Sequence, residues 1–305
     1  MSTYRFSRPI AALLLAAFLM LPFCFTSSAL AMPMPAPGNT RGLPESVRQK
    51  LAENPNLFYP RNGFRNVIER QKEQRREIQA ELLRSGLSPA SRDVEINSRI
   101  TVTRYCPVLC GLYSDKPVAD WPVAELVDQL FSLDYGATNT LGQPGSMREH
   151  YRDMSYGTFD LQGGVFGWFP VSQPRLFYAG TDNGLGTDAA DGEAGAFIRH
   201  TLQGSDATVD FRPYDNDGPD NVPNSGDDDG YADLVMFVHP NSGGECGDDD
   251  IWSHSFVYSG WTQHNGQPFV TNDIGANGQL IKVDDYVIMP AISCTSGGRI
   301  EIGVF

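Results

Sequence analysis

Apolar positions along the chain fall into three patterns, helical spacing, short unbroken runs, and near absence, and each predicts a different kind of element. In residues 64–84, Val67, Ile68, Ile78, Leu82 and Leu83 stand among interleaved Glu and Arg, which predicts one amphipathic helix. Ser85-Gly86 and then Pro89 stop it. Helical spacing returns at Val123, Leu126, Val127 and Leu130, predicting a helix over 123–133. Two more helices are predicted over 145–157, closed by Gly157, and over 188–203, with Ala194, Phe197, Ile198 and Leu202 on one side. Residues 100–105 and 108–113 are rich in β-branched and aromatic side chains and predict strand segments broken by Pro107. Residues 158–161 and 165–171 read as a hairpin around Gly163-Gly164. Residues 234–238 and 286–289 are apolar without alternation, the mark of strands covered on both faces, and Pro290 ends the second. Helices interspersed with short strands predict an α/β, α+β layered domain rather than a sandwich.

The chain opens on an address. Arg5 and Arg8 precede an apolar stretch from Ile10 to Phe25, followed by Ala29-Leu30-Ala31, which reads as a signal peptide over 1–31. About 16 apolar residues fall short of the roughly 20 that a spanning helix needs. Export is therefore expected, with a secreted, extracellular product and no stable membrane anchor after cleavage. Residues 32–63 are rich in Pro, Asn and Gly, and with the helix that follows they form an expected prosegment over 32–99. The folded domain is expected over 100–305.

Charge sharpens that division. Residues 41–104 carry 13 Lys or Arg against 8 Asp or Glu, whereas residues 105–305 carry 8 against 29. Opposite fields of this kind would guide a basic prosegment onto an acidic domain. The same acidity makes nucleic acid an unsuitable partner.

Cysteine usage fits an oxidising compartment. Cys24 leaves with the signal, so Cys106, Cys110, Cys246 and Cys294 remain, and three connectivities are open. Cys106 and Cys110 in one strand would lie about 13 Å apart at roughly 3.3 Å per residue, too far to bridge each other. Cys246 with Cys294 is the favoured pair, and Cys106 is better explained by a disulfide than by a thiol nucleophile. No Cys lies between Met32 and Tyr105, so no prosegment thiolate can hold a metal.

The densest chemical signal is the stretch from Asp210 to Asp233, with 8 acidic residues against one basic, Arg212. It contains Asp215-Asn216-Asp217-Gly218 and Asp227-Asp228-Asp229-Gly230. Carboxylates at this density repel one another unless a cation sits among them. Hard oxygens alternating with turn-permitting glycines are what calcium requires. Asp215, Asp217, Asp227, Asp229 and Asp233 are the candidate calcium ligands, in a loop that lacks the twelfth-position Glu of an EF-hand.

Other chemistries find no motif. The five histidines, His150, His200, His239, His254 and His264, include no pair at i, i+4 spacing, so the helical two-histidine zinc motif is absent. His239, His254 and His264 could converge, although each is expected to be a hydrogen-bonded structural residue. There is no nucleophile elbow, phosphate loop or dinucleotide fingerprint, and the carboxylate pairs give no specific glycosidase signal.

Three ordered segments resemble one family. Gly145-Ser146-Met147-Arg148-Glu149-His150-Tyr151-Arg152-Asp153-Met154-Ser155-Tyr156-Gly157 is similar to the "GS-x-R-x-YY-x-x-x-SYG" segment of the immune inhibitor A family of secreted bacterial zinc metalloproteases. Asp215-Asn216-Asp217-Gly218 with Asp229-Gly230-Tyr231-Ala232-Asp233 resembles its calcium loop, and Ile251-Trp252-Ser253-His254 its "IWSH" segment. Ile302-Gly303-Val304-Phe305 resembles the residues before its zinc helix. The resemblance covers roughly 108–305 and implies a zincin-like upper subdomain with a mixed twisted sheet, flanking helices and a preceding helical prosegment. It further implies protein or peptide substrates, held as an extended strand at a sheet edge, and a catalytic zinc bound by a HExxH helix. No HExxH occurs in this sequence. The expectation is therefore the N-terminal part of a secreted metalloendopeptidase, inactive alone, whose missing helix leaves apolar surface exposed around Val304-Phe305 and stability dependent on calcium. The alternatives are a secreted calcium-binding adhesion or surface module, and a pseudo-protease paired with a second chain.

Overall fold

The computed structural model describes residues 45–55, 62–99, 102–139, 144–186 and 193–294. The expected signal peptide over 1–31 and the apolar run ending at Phe305 lie outside the described residues. Among those described, no helix is long and apolar enough to cross a membrane.

Three helices come first: α1 (Glu45–Glu53), α2 (Asn62–Arg84) and α3 (Pro89–Arg99). In the C-terminal part of α2, Ile78 and Leu82 pack with Ile96 of α3 in a small core of their own. Leu83, counted with that apolar set, is exposed. Val47 of α1 behaves differently, being 1% exposed and packed in the main core of the domain.

The remaining elements are β1 (Val102–Leu112), α4 (Val123–Phe131), α5 (Tyr135–Thr138), α6 (Met147–Met154), β2 (Phe159–Pro170), α7 (Arg175–Ala179), α8 (Glu193–Ser205), β3 (Tyr231–Ala232), β4 (Val235–Ser242), β5 (His254–Val257), β6 (Phe269–Ile274), β7 (Leu280–Val283) and β8 (Asp285–Ile292). A five-stranded mixed sheet has the order β2-β1-β4-β8-β5, parallel except for the antiparallel edge strand β5. A second sheet, β3-β7-β6, stands apart from it.

The two unbroken apolar runs occupy the middle of the large sheet. Residues 235–240 of β4 and 285–291 of β8 are all buried, because successive side chains point to opposite faces and each face carries its own core. On one face Leu109, Val235, Phe237, Tyr286 and Ile288 pack with Ala194, Phe197, Ile198 and Leu202 of α8. On the other, Val108, Met236, Val238, Val287 and Met289 pack with Leu126 and Leu130 of α4 and Met147 of α6.

Four expectations are corrected. Residues 158–171 form no hairpin: β2 runs straight through Gly163-Gly164 as a parallel partner of β1, with Gly163 opposite Cys106 and Gly164 opposite Pro107. These glycines serve close approach instead of a turn, for a Cβ on Gly163 would stand 2.0 Å from the Cys106 carbonyl oxygen and 2.5 Å from the Phe131 ring. Pro107 does not divide β1. Pro107 stands within the β1–β2 ladder opposite Gly164, one residue before pairing with β4 begins at Val108. Nor does Pro290 end β8, which continues to Ile292 with Pro290 opposite His239 at a register irregularity. Finally, Cys246 and Cys294 are bonded as favoured, whereas Cys106 is a free buried thiol, as is Cys110. Burial pushes the Cys106 thiol up to about 12, which keeps it protonated and inert.

Gly163→Ala should cost about 1–3 kcal/mol through overpacking against backbone that cannot retreat. Gly164→Ala should cost less, since its nearest neighbour is the Phe166 ring at 3.0 Å. Urea unfolding midpoints of the two variants compare them directly, and equal losses would contradict the assigned role of Gly163.

Candidate metal centre

The acidic stretch enters from Phe211, whose N–H donates to Asp273 on β6 (2.8 Å), and turns through the short helix Arg212–Tyr214. It leaves along β3, paired in parallel with β7. Entry and exit lie side by side, because the Asp233 N–H donates to the Tyr214 carbonyl (2.8 Å). Asn221, Asn224 and Gly230 take φ values of 56°, 52° and 82°, the left-handed region in which Asn and Gly are favoured. The β6–β7 turn braces the loop from outside: Ala276 N–H donates to Asn224 Oδ1 (2.8 Å), and Lys282 N–H to the Gly230 carbonyl (2.9 Å). On the inner side Asn216 donates to the Thr103 carbonyl (3.2 Å) and Arg104 of β1 donates to the Asn216 carbonyl. The loop is thus clamped between the two sheets.

That clamping brings Asp215, Asp217 and Asp233 together, with one oxygen from each lying within 4.8 Å of the others. Asp215 is 2% exposed. Its Oδ2 accepts from Gly230 N–H (3.1 Å), while its Oδ1 is buried without a hydrogen-bond partner. Asp233 Oδ2 and Asn216 Oδ1 are buried and unpartnered as well. Burial, reinforced by the charges of Asp228, Asp229 and Asp217, pushes the Asp215 carboxyl up to about 7. Burial likewise raises Asp233 to about 8, although Arg104 opposes the rise. Two like charges at this separation repel by roughly 3 kcal/mol at an effective dielectric near 20.

The other two candidates, Asp227 and Asp229, are not in this group. Asp227 is exposed and occupied with the loop itself, accepting from the Ser225 hydroxyl and from Asp220 N–H (3.3 Å). Asp229 is exposed and accepts from Tyr231 N–H (3.0 Å), while its own N–H donates to Asp217 (3.2 Å). Asp228, which sequence reasoning passed over, is buried and staples the loop by accepting from Gly218 (2.7 Å) and Ser225 (2.6 Å) N–H groups. Gly218 is required beside it, because a Cβ there would lie 2.3 Å from Asp227 Oδ1. Asn216 is the other residue missed, and its place between the two aspartates of the Asp-x-Asp-Gly pattern was the available signal. The donor set is all oxygen, concave and partly unsatisfied, which suits a hard divalent cation.

The histidines do not supply a second centre. His254 is fully buried, with Nδ1 against the Trp252 carbonyl (2.7 Å) and Nε2 against the Tyr286 hydroxyl (2.9 Å), and burial lowers it to about 4. His264 Nδ1 meets the Tyr258 carbonyl (2.7 Å), and His239 faces Asp250 at 3.4 Å. Among the described residues the carboxylate trio is the one group of three or more potential ligands that converges. Among the described residues, no grouping fits a catalytic zinc.

A family model described as the immune inhibitor A peptidase M6 catalytic domain matches residues 119–299, more than half of the 305-residue chain. The chain belongs to this family. Pre-pro-metalloprotease PrtV of Vibrio cholerae serotype O1 (strain ATCC 39315 / El Tor Inaba N16961) is 30% identical over 140 residues, covering 42% of this chain and 15% of PrtV. Immune inhibitor A of Bacillus thuringiensis subsp. alesti is 27% identical over 183 residues, covering 53% of this chain and 24% of that protein. The matched stretches therefore span less than a quarter of either relative. Immune inhibitor A membership makes this a metallopeptidase-family chain, and its layered sheet and helices are consistent with a zincin-like α+β peptidase domain.

The segments that carry the family resemblance have structural tasks here. Ser146 and Glu149 form a capping box on α6. Arg148 grips Asp160 of β2 through two hydrogen bonds of 2.7 Å. Trp252 is fully buried, and Ser253 donates from both N–H and hydroxyl to the buried Glu245.

The raised carboxyls set a pH dependence. With folded values above the unfolded one, the native state binds more protons between about pH 4 and 8, so stability falls as pH rises through that window. In chelator, the urea midpoint should drop from pH 5 to pH 8, and Asp233→Asn should flatten the slope. A midpoint that rises over this range would contradict the assigned burial.

Proposed function

We propose that the chain is the calcium-bearing, substrate-facing upper subdomain of a secreted zinc metalloendopeptidase, and that it is inactive by itself. Family membership over the whole region from α4 through β8 carries this reading. The edge position of β5, antiparallel to β8, supports a role in holding an extended peptide by backbone pairing. When bound by such an enzyme, zinc polarises the scissile carbonyl and activates water. This chain's part is to align the peptide. Among the described residues, no histidine joins a group of three or more potential metal ligands.

Calcium is assigned to Asp215, Asp217 and Asp233, with Asp227 and Asp229 contributing charge at the rim. The unpartnered Asp215 Oδ1 and Asp233 Oδ2 support this assignment. A cation there would offset the mutual repulsion and hold the loop against both sheets. Residues 1–31 act as an export signal, and residues 32–99 as a prosegment lying on the acidic domain, which the burial of Val47 in the main core supports. The expressed product is accordingly extracellular, with protein or peptide substrates.

Casein hydrolysis by this chain and by a chain extended through the downstream coding region tests the proposal. The given chain should show no hydrolysis with added zinc and calcium, and the extended chain should hydrolyse casein in a chelator-sensitive manner. Zinc-dependent hydrolysis by the given chain would overturn the assignment of inactivity. An inert extended chain that still binds calcium would favour the adhesion-module reading.

A further inference from the structure

A second pair of carboxylates, the half-buried Asp182 after α7 and the buried Glu193 at the start of α8, lies away from the acidic loop. Glu193 opens α8 with φ of 64° and is 8% exposed. Its side chain bends back over the turn into space left by two glycines. A Cβ on Gly180 would stand 2.1 Å from Glu193 Oε1, and one on Gly186 would stand 3.1 Å from it. Asp182 flanks the same place, with Oδ2 3.6 Å from that Gly186 position.

The environment asks for more than these residues supply. The N–H groups of Gly184 and Gly186 donate to the Glu193 carboxylate, an arrangement that favours its ionised form. Glu193 Oε2 is nevertheless buried and has no hydrogen-bond partner, beside the second negative charge of Asp182. Burial and then Asp182 raise the Glu193 carboxyl to about 7. A proton on Oε2 would neutralise the charge of Glu193 alone, whereas a cation would offset both carboxylates and give the unpartnered oxygen a partner.

We propose that Asp182 and Glu193 bind a hard divalent cation of the calcium class in the α7–α8 turn. The donors are carboxylate oxygens, which suits calcium and gives no purchase to a soft metal. The consequence is mechanical. Asn183, between the two elements, donates to the Asp248 carbonyl (2.9 Å) and Asp250 carbonyl (2.8 Å), and its own carbonyl accepts from Trp252 N–H (2.8 Å). A cation at Asp182 and Glu193 would therefore lock the start of α8, which covers one face of the sheet, to the disulfide-bearing loop that follows β4. The site shares no residue with the Asp215 cluster, so the two stand or fall separately.

Equilibrium dialysis of the full chain against calcium, at pH 7.5, provides the test, alongside Glu193→Gln and Asp215→Asn. Two ions per chain are expected, with one lost in Glu193→Gln, the other lost in Asp215→Asn, and the calcium-induced rise in Tm reduced in each. Calcium stoichiometry and Tm increment unchanged in Glu193→Gln would overturn the proposal, as would a single wild-type ion that disappears in Asp215→Asn. If circular dichroism shows Glu193→Gln to be unfolded, Asp182→Asn is read in its place by the same criteria. A single wild-type ion that disappears in Glu193→Gln and persists in Asp215→Asn would support this site and count against the acidic-loop assignment alone.

Discussion

Asp215, which is buried, and Asp233, which is half-buried, lie within a few ångströms of each other and of Asp217, and much of the surrounding architecture answers the electrostatic cost of placing these ionisable groups together. Charge burial is tolerated only with compensating partners. The partners within the chain are partial: Gly230 N–H for one oxygen of Asp215, and the field of Arg104 for Asp233. The remaining orphaned oxygens are where a cation would act. Around them the loop adopts left-handed Asn and Gly turns, Asp228 ties its middle, and β3 zips its end to β7. The small sheet thus braces the carboxylates from one side while the start of β1 does so from the other.

The large sheet follows a simpler rule. Its central strands are apolar on both faces because helices cover both, and the close approaches this needs are met by Gly163 against β1 and Gly111 against Phe197 of α8. Some of the polar residues set among the apolar strands find partners in place, whereas both ring nitrogens of His239 are buried without a hydrogen-bond partner. His254 and Trp261 both meet the Tyr286 hydroxyl at 2.9 Å, and Tyr113 donates to Asp250 at 2.6 Å. The first two tie β5 and the segment after it to β8, and the last joins the end of β1 to the loop after β4, which carries Cys246 of the Cys246–Cys294 bridge.

Long-period features were legible in the sequence, and local exceptions were not. The amphipathic helices, the buried runs at β4 and β8, and the layered class follow from periodicity. The hairpin expected at Gly163-Gly164 failed because glycine signals both turns and tight packing, and only the neighbours, here the Cys106 carbonyl and Phe131, distinguish them. Pro107 and Pro290 misled for a related reason: a missing N–H matters only on a side where a ladder would use it. Of the candidate ligands, sequence density identified the loop, yet it could not tell the inward Asp215, Asp217 and Asp233 from the outward Asp227 and Asp229. Glu193 carried no signal, since its partner Asp182 becomes a neighbour only through the turn.

Amide hydrogen exchange across the acidic loop and β7, at pH 7.5 with saturating calcium or with chelator, tests the central electrostatic claim most directly. If a cation completes the buried carboxylate cluster, calcium should slow exchange at residues 214–233 and 280–283 by at least about tenfold, equivalent to roughly 1.4 kcal/mol, with little change at the centre of β4. Equal exchange in the two conditions, in a protein that remains folded, would show that the cluster is satisfied without a cation.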